Sequence, residues 1–347
     1  MYKKYLKQIF LYFFLALFFI SALNYIIDPY GYQSRDGKFV KNLTMYNKPN
    51  VTNARINSDG YYYLIGSSRM ARVNPQMIEK ISAKKTHNIK IDGATLAENS
   101  LLASKVKENG NFFIYSFDAF SSNKSRQKLK EINNRFRVYE KELMSYEYLS
   151  KYYNSDITIR SLQHIIKSLK GENRSKQYDE ENSRNEGFSL NNAFNDTGVG
   201  VSDNLKKANF VNFDIYSQES IIKLANLGTE KDIFIILPKY LPYYSLFSKY
   251  QNIQNQYFEA IRSLVLNTES KVWFFYGQNN ITMNINNFID NGWHFKPQVS
   301  NIIFKQVFGD GLNDADQEYG VLLTKDNLDN YLSKISIEIS NASIDDN

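Results

Sequence analysis

Residues 61–70 read Tyr-Tyr-Tyr-Leu-Ile-Gly-Ser-Ser-Arg-Met, an apolar, aromatic run that stops abruptly at Gly66. Asn74 and Pro75 follow, and Asn at an N-cap with Pro next is a helix start. The stretch therefore predicts a buried strand, a tight turn and a helix. A serine in such a turn lies where backbone N–H groups and a helix dipole converge, as a nucleophile that must stabilise an oxyanion requires. Ser68 is thus a candidate nucleophile, although Gly-Ser-Ser turns also close strands without any chemistry.

Four further apolar runs predict strands at residues 87–91, 111–116, 232–237 and 271–276. Segments with a helical spacing of apolar residues lie between them, and this alternation is typical of a parallel sheet with right-handed crossovers. The runs are almost continuously apolar, as in strands buried on both faces. The sequence therefore predicts an α/β fold of three layers, with a five-stranded parallel sheet between helices.

The N-terminus carries a candidate membrane anchor. Three lysines within the first seven residues precede an uncharged, mostly apolar run at residues 8–27. Such a run forms a helix of about 30 Å, the thickness of a bilayer core. Because the lysines lie on one side only, we expect a single-pass helix in the cytoplasmic (inner) membrane, with the N-terminus cytoplasmic and the main domain extracytoplasmic. A cleaved signal peptide is the competing interpretation, but Ser21-Ala22-Leu23 is a poor match to a cleavage site.

Changes in composition predict the domain organisation. Helical stripes at residues 129–143 and 162–169 precede a stretch at 171–205 that is rich in Asn, Ser, Glu and Gly and predicts a long loop. The predicted parts are a cytoplasmic stub and anchor at 1–28, a membrane-proximal connector at 29–60, an α/β domain at 61–310 with a helical and loop insertion at about 121–215, and a C-terminal extension at 311–347.

Composition excludes several kinds of site. The chain has no cysteine, which excludes disulfides, thiolate metal sites and cysteine nucleophiles. A net charge of +6 is modest for 347 residues and does not indicate nucleic-acid binding. The sequence has no Gly-rich phosphate-binding loop, which argues against nucleotide chemistry. His294, Asp290 and Asp118 are donors that a metal accepts, but no His-X-His or His-X-X-X-His pair supports a metal site.

The carboxyl ends of parallel strands lie at one edge of a sheet, where ligands bind in folds of this kind. The residues that follow the predicted strands therefore converge there. They are Ser68, Gly93, Asp118, Pro238 and the loop at 290–294.

A serine nucleophile needs a general base, for which histidine is the usual side chain. Of the three histidines, His87 precedes a strand on the wrong edge and His164 lies in the inserted helices. His294 lies beyond the last predicted strand, on the correct edge, and Asp290 stands four residues before it. The sequence thus predicts Ser68, His294 and Asp290 as nucleophile, base and orienting carboxylate of a catalytic triad.

These residues, in this order, resemble the SGNH hydrolase-like superfamily. Within it, the chain is most similar to membrane-anchored bacterial proteins related to the alginate O-acetyltransferase accessory proteins and to the D-alanyl transfer protein of teichoic acid modification. The resemblance covers nearly the whole chain, through Asp28-Pro29-Tyr30-Gly31, Gly66-Ser67-Ser68-Arg69, residues 290–297 and residues 320–324. It implies a flavodoxin-like SGNH core.

The resemblance also implies roles for individual residues. Ser68 matches the nucleophile of the family, and Gly93 matches its oxyanion-binding glycine. The third block of the family is Gly-X-Asn, but here it is Ser116-Phe117-Asp118, so a carboxylate replaces the amide donor. An ionised Asp118 would repel an oxyanion unless it is paired, and Arg69 is the candidate partner. Gly93, Asp118 and Arg69 form the predicted oxyanion or substrate-binding set.

The last block of the family is Asp-X-X-His, whereas one extra residue separates Asp290 from His294 here.

The residues and the resemblance together lead to two main hypotheses for the function. The first is an extracytoplasmic serine esterase or O-acyltransferase that acts on acyl groups, acetyl by default, of a cell-surface glycan. The second is a catalytically inactive binding or scaffold subunit of a complex that modifies or exports a polysaccharide of the cell envelope. A phospholipase or thioesterase at the membrane surface shares the triad and is a third.

The expected partners follow from the same hypotheses. They are the bilayer, through residues 8–27, and an acylated cell-surface glycan. A multi-pass membrane acyltransferase is a partner by resemblance only. We expect no cofactor, because serine acyl transfer needs none, and no nucleic acid.

Overall fold

The structure is a computed structural model of the chain. It describes residues 2–29, 62–91, 93–126, 152–171, 213–242, 251–289, 292–309 and 319–342. The connector from residue 30 onward, the stripe at 129–143 and the predicted loop after residue 171 lie outside these ranges. The chain divides into two compact units, Met1–Arg55 with Lys141–Gln177 and Ile56–Glu140 with Tyr178–Asn347.

The described elements alternate between helices and short strands. The helices are α1 (Tyr2–Ile27), α2 (Pro75–Ser82), α3 (Leu96–Glu108), α4 (Ser155–Leu169), α5 (Gln218–Ala225), α6 (Gln251–Asn267), α7 (Pro297–Phe308) and α8 (Leu328–Asn341). The strands are β1 (Tyr62–Ile65), β2 (Thr86–Asn88), β3 (Phe112–Ser116), β4 (Ile233–Ile236), β5 (Lys271–Phe274), β6 (Phe288–Ile289), β7 (His294–Phe295) and β8 (Val321–Leu323). A 3₁₀ helix, Ser68–Arg72, follows β1.

The second unit contains a mixed six-stranded sheet in the order β2-β1-β3-β4-β5-β8. The first five strands are parallel, and β8 pairs antiparallel with β5, with Trp273 opposite Leu322. The fold class is α/β as predicted, but the prediction of a wholly parallel sheet of five strands was wrong. It missed β8 because three residues are too few to give a periodicity signal.

Apolar side chains pack on both faces of this sheet. On one face, Tyr63 and Phe113 belong to a core that includes side chains of α3, α5, α6 and α8. On the other face, Leu64 and Ile114 belong to a second core that includes side chains of α2 and α7. Since successive strand residues point to opposite faces, a strand covered on both sides needs apolar residues at every position. This explains the continuous apolar runs of the sequence.

Polar caps define where the chain passes from loop to helix. The Asn74 side chain accepts a hydrogen bond of 2.9 Å from the Gln76 N–H, and Pro75 takes the first position of α2. Thr95 caps α3 and forms a reciprocal capping box with Glu98. The start at Asn74 is as the sequence predicts, and each cap satisfies N–H groups that a helix leaves unpaired at its start.

In the first unit, α1 packs against α4. Within the described part of the chain, α1 is the one helix long and apolar enough to cross a membrane, with 26 residues and a mean hydropathy of 2.2 over its most apolar window. The second predicted stripe lies on α4. Its residues Leu162, Ile166 and Leu169 are 49%, 53% and 82% exposed, so this stripe does not form a buried core.

Candidate active site

Backbone hydrogen bonds extend the parallel sheet beyond the ends of its strands. The Ile91 N–H donates to the Gly66 carbonyl at 3.0 Å, and the Phe117 N–H donates to the Ile235 carbonyl at 3.0 Å. The segments after β1 and β2 therefore leave the sheet side by side, and the segment after β3 leaves it alongside β4. Ser68, Gly93 and Asp118 lie in these segments, at the edge where parallel sheets bind ligands.

Ser68 begins the 3₁₀ helix after β1 and is half-buried. The turn before it requires glycine, because a Cβ on Gly66 would lie 2.6 Å from Met70 Cγ and 2.8 Å from Ser116 Cβ. Interiors are packed too densely to absorb such overlaps. N–H groups in the first turn of a helix lack acceptors within it, so the Ser68 hydroxyl stands at a donor-rich end.

His294 lies on β7, which pairs with β6 in a short hairpin that places Ile289 opposite His294. Gly292 in the hairpin turn has φ of +85°, and a Cβ there would lie 2.6 Å from Tyr240 Cβ, so only glycine fits. The Gly292 carbonyl accepts a hydrogen bond of 3.2 Å from the Tyr240 N–H, which ties the hairpin to the segment after β4. The hairpin thereby holds His294 Nε2 at 2.8 Å from Ser68 Oγ.

Gly93 and Asp290 complete the predicted catalytic set. Gly93 has φ of +64° and lies in a turn closed by the Ala94 N–H, which donates to the Ile91 carbonyl at 2.9 Å. The Gly93 carbonyl accepts a hydrogen bond of 3.2 Å from Arg126 Nη2. Asp290 lies outside the described residues, so the third member of the triad stays a prediction.

Arg69 and Asp118 form a buried ion pair. Arg69 Nη2 lies 3.6 Å from Asp118 Oδ1, and neither side chain is more than 1% exposed. Asp118 Oδ2 accepts a hydrogen bond from Ser67 Oγ at 3.2 Å, and Oδ1 accepts one from the Ser121 N–H at 2.9 Å. Burial raises the pKa of Asp118, but the charges of Arg69 and Lys239 outweigh burial and hold this pKa below its usual value. Asp118 is therefore ionised and paired.

Lys239 and Trp293 are two further residues of this edge, and neither was predicted from the sequence to have a role. Lys239 follows β4 and is 1% exposed. Lys239 Nζ lies 4.1 Å from the centroid of the Trp293 ring, and the Arg69 guanidinium lies 5.3 Å from the same centroid. Burial, aided by the charge of Arg69, lowers the pKa of Lys239 well below its usual value, and Asp118 opposes this shift. The sequence did contain a signal for Lys239, because this lysine directly follows an apolar strand and a proline at the carboxyl edge of the sheet.

The other two histidines occupy different surroundings. His87 lies on β2 opposite Tyr63, and the centroids of the two rings are 5.6 Å apart. His164 is buried on α4 in the first unit. Across the ranges that the structure describes, no group of three or more His, Asp or Glu side chains is placed to hold a metal ion.

No family model matches the chain, and no curated protein matches it. Its function is therefore argued from the geometry of the site.

Proposed function

We propose that this protein is a membrane-anchored serine esterase or O-acyltransferase with an SGNH-like core. The observation that carries the proposal is the distance of 2.8 Å between Ser68 Oγ and His294 Nε2. A serine within hydrogen-bond reach of a histidine is the arrangement of an activated nucleophile and its base. The order of the five parallel strands, β2-β1-β3-β4-β5, is that of doubly wound folds that bind ligands at this edge.

The chemistry would proceed through an acyl-enzyme. His294 takes the proton of Ser68 as the oxygen attacks the carbonyl carbon of the acyl donor, and then gives that proton to the leaving alcohol. The N–H groups of Ser68 and Gly93 would hold the oxyanion, and Asp290 would orient the imidazole. Water as the second acceptor gives an esterase, whereas a sugar hydroxyl gives a transferase.

Asp118 and Arg69 have a supporting role in this proposal. Both side chains are almost completely buried, which leaves little surface for direct contact with a substrate. Asp118 accepts a hydrogen bond of 3.2 Å from the hydroxyl of Ser67, the residue before the nucleophile. The ion pair would therefore fix the backbone of the nucleophile turn. The negative charge of Asp118 is offset by Arg69 and is not directed at the oxyanion.

The anchor and the resemblance suggest where this chemistry takes place. α1 would cross the cytoplasmic membrane with its lysine-bearing end inside, so the sheet domain would lie outside the cytoplasm. The substrate would be an acylated glycan of the cell envelope, with acetyl as the default group. A multi-pass membrane acyltransferase that supplies the acyl group is a partner implied by resemblance alone.

Asp118 also favours one second candidate, an inactive binding or scaffold subunit. Where the resembled family has an asparagine that donates to the oxyanion, this chain has a buried carboxylate whose pKa is held below its usual value. Such a group offers no N–H donor. In this reading the edge would bind an acylated glycan and leave it intact.

Hydrolysis by the purified full-length chain distinguishes the two candidates. We expect release of acetate from p-nitrophenyl acetate and from acetylated glycan, and loss of both activities in Ser68→Ala. A scaffold subunit would instead bind acetylated glycan without releasing acetate, and Ser68→Ala would leave that binding unchanged.

A further inference from the structure

A buried amide attaches α4 to the end of the candidate membrane-spanning helix. Asn24 lies in the last turn of α1 and is 2% exposed. Its Nδ2 donates to the Tyr152 carbonyl at 2.8 Å and to Thr158 Oγ1 at 2.9 Å, and its Oδ1 accepts from Ser161 Oγ at 2.9 Å. Whatever depth the end of α1 takes in a membrane, α4 must share it.

The rest of α1 is covered only toward the same end. Residues 2–16 of α1 are exposed, whereas Leu17 and Ser21 are half-buried and Asn24 is buried. Ala22 and Leu23 are half-buried and Ile27 is buried as well, so the covered part of α1 is its C-terminal end. The contact of Asn24 with α4 is thus in the last turn of α1, at the level where a spanning helix leaves the hydrocarbon core.

The two opposite faces of α4 differ in what they contact. Ile157, Ser161 and His164 are buried, and Ser161 bonds α1. At 100° per residue, four aliphatic side chains fall within an arc of about 80° centred on the opposite side. They are Ile159, Leu162, Ile166 and Leu169, which are 55%, 49%, 53% and 82% exposed.

We propose that α4 is an interfacial helix, and that its stripe of Ile159, Leu162, Ile166 and Leu169 inserts among the lipids of the leaflet next to Asn24. The proposal rests on the proposed anchoring by α1. With 15 residues, or about 22 Å, α4 is too short to span a bilayer. A helix with one apolar stripe and basic residues beside it is the kind that lies in the membrane interface. Arg160 and Lys167 lie about 120–140° around the helix from the middle of the stripe, between it and the buried face, where they would meet lipid head groups.

Lipid is the occupant that the geometry favours, because α4 packs on a segment that crosses the bilayer. The side of α4 turned away from that segment faces the surrounding leaflet. The chain would then be held at the membrane by two elements from distant parts of the sequence.

Fluorescence depth measurements test the proposal directly. The chain has no cysteine, so single cysteines in the full-length protein can be labelled cleanly with an environment-sensitive dye and placed in phosphatidylcholine–phosphatidylglycerol vesicles. Leu162→Cys and Ile166→Cys report the stripe, Lys167→Cys is the matched position on the polar flank, and Phe14→Cys reports α1. We expect lipid spin labels to quench the dye at 162 and 166 several-fold more than at 167, with aqueous iodide showing the reverse order.

Three results would overturn the proposal. Iodide quenching at 162 and 166 that equals the quenching at 167, with Phe14→Cys quenched by lipid, would place the stripe in water on an anchored protein. Protection of 162 and 166 from both quenchers would mean that a second copy or another protein covers the stripe. A Phe14→Cys dye that lipid does not quench would refute the anchor itself, together with this inference. Acetyl-ester hydrolysis in the same vesicles separates any of these results from a failure of the proposed chemistry.

Discussion

Ser68 and Arg69 are neighbours in sequence but occupy two different environments. Ser68 is half-buried, and its hydroxyl meets His294 at 2.8 Å. Arg69 is 1% exposed and pairs with Asp118 at 3.6 Å. We refer to Ser68 and His294 as the reactive layer, and to Arg69, Asp118 and Lys239 as the ion layer. One layer is accessible to a substrate and the other is closed to it.

This difference indicates that the two layers at this edge of the sheet have different roles. Burying charges costs several kcal/mol for each ion, and a buried pair often adds little net stability. The ion layer is therefore better explained by positioning than by stability. Its hydrogen bond to Ser67 and its contacts with Trp293 reach the residues directly before Ser68 and His294.

Removing the reactive layer should have the largest effect. Ser68→Ala or His294→Ala should lower esterase activity by about 10³- to 10⁶-fold, and the double variant should lose no more than the worse single one, because the two side chains act as a unit. Melting temperatures should not change. Ser104→Ala, at a half-buried serine of α3, is the matched control. Losses that multiply in the double variant would show that the two residues act independently.

Breaking the ion layer should cost stability first. Asp118→Asn leaves Arg69 buried without this carboxylate, which typically destabilises by about 3–5 kcal/mol, and it should also lower the activity per folded molecule. Urea unfolding and esterase assays measure the two effects.

Asp232→Asn is the control for Asp118→Asn. Asp232 is also fully buried and pairs with Lys107 at 2.7 Å, but it precedes β4, at the other edge of the sheet. It should cost stability while the folded fraction keeps its activity. Equal losses of activity in the two variants would contradict a positioning role for Asp118.

Gly66→Ala should have a smaller effect that reaches both layers. The added Cβ would overlap Met70 and Ser116, and overpacking of this kind costs about 1–3 kcal/mol. Relief of the overlap shifts the Ser68 turn, so activity should fall as well. Gly110→Ala is the control, since its Cβ meets nothing within 4 Å while its φ of +69° still imposes strain. Full activity in Gly66→Ala would show that the turn tolerates displacement.

The pH dependence of stability should give the smallest effect. The pKa of Asp118 is depressed in the folded state, so its contribution is complete above the unfolded value of about 3.9. That contribution is lost as pH falls through the folded pKa, by at most about 1.4 kcal/mol per pH unit. The urea midpoint of Asp118→Asn should therefore fall less steeply below about pH 4 than that of the parent chain. Parallel curves would mean that folding does not depress the pKa of Asp118.

Local signals made most of the fold predictable. Apolar runs marked the five parallel strands, and Asn74-Pro75 marked a helix start, because each signal lies within a few adjacent residues. The edge strand β8 carried too short a pattern. The apolar stripe of α4 could be recognised in the sequence, but its exposure could not. A helical period identifies an apolar face and does not show which part of the protein, if any, covers that face.

Only the part of the site that follows from the topology of the sheet was predictable from the sequence. Ser68 and His294 could be paired because both follow strands on one edge. The positions of Lys239 and the Trp293 ring depend on tertiary packing, and nothing in their local sequence encodes it. The 3₁₀ helix after β1 was likewise missed, since Ser68–Arg72 resembles a plain turn.

Identification of the residue that reacts with a fluorophosphonate probe tests the central claim most directly. The full-length chain in detergent is treated with the probe, and the labelled peptide is sequenced by mass spectrometry. We predict that label falls on Ser68 and that both Ser68→Ala and His294→Ala abolish it. Ser67 is an internal control, since it is adjacent but buried and hydrogen-bonded to Asp118. Label on Ser67, or no label on protein that circular dichroism shows to be folded, would contradict an activated serine at this edge.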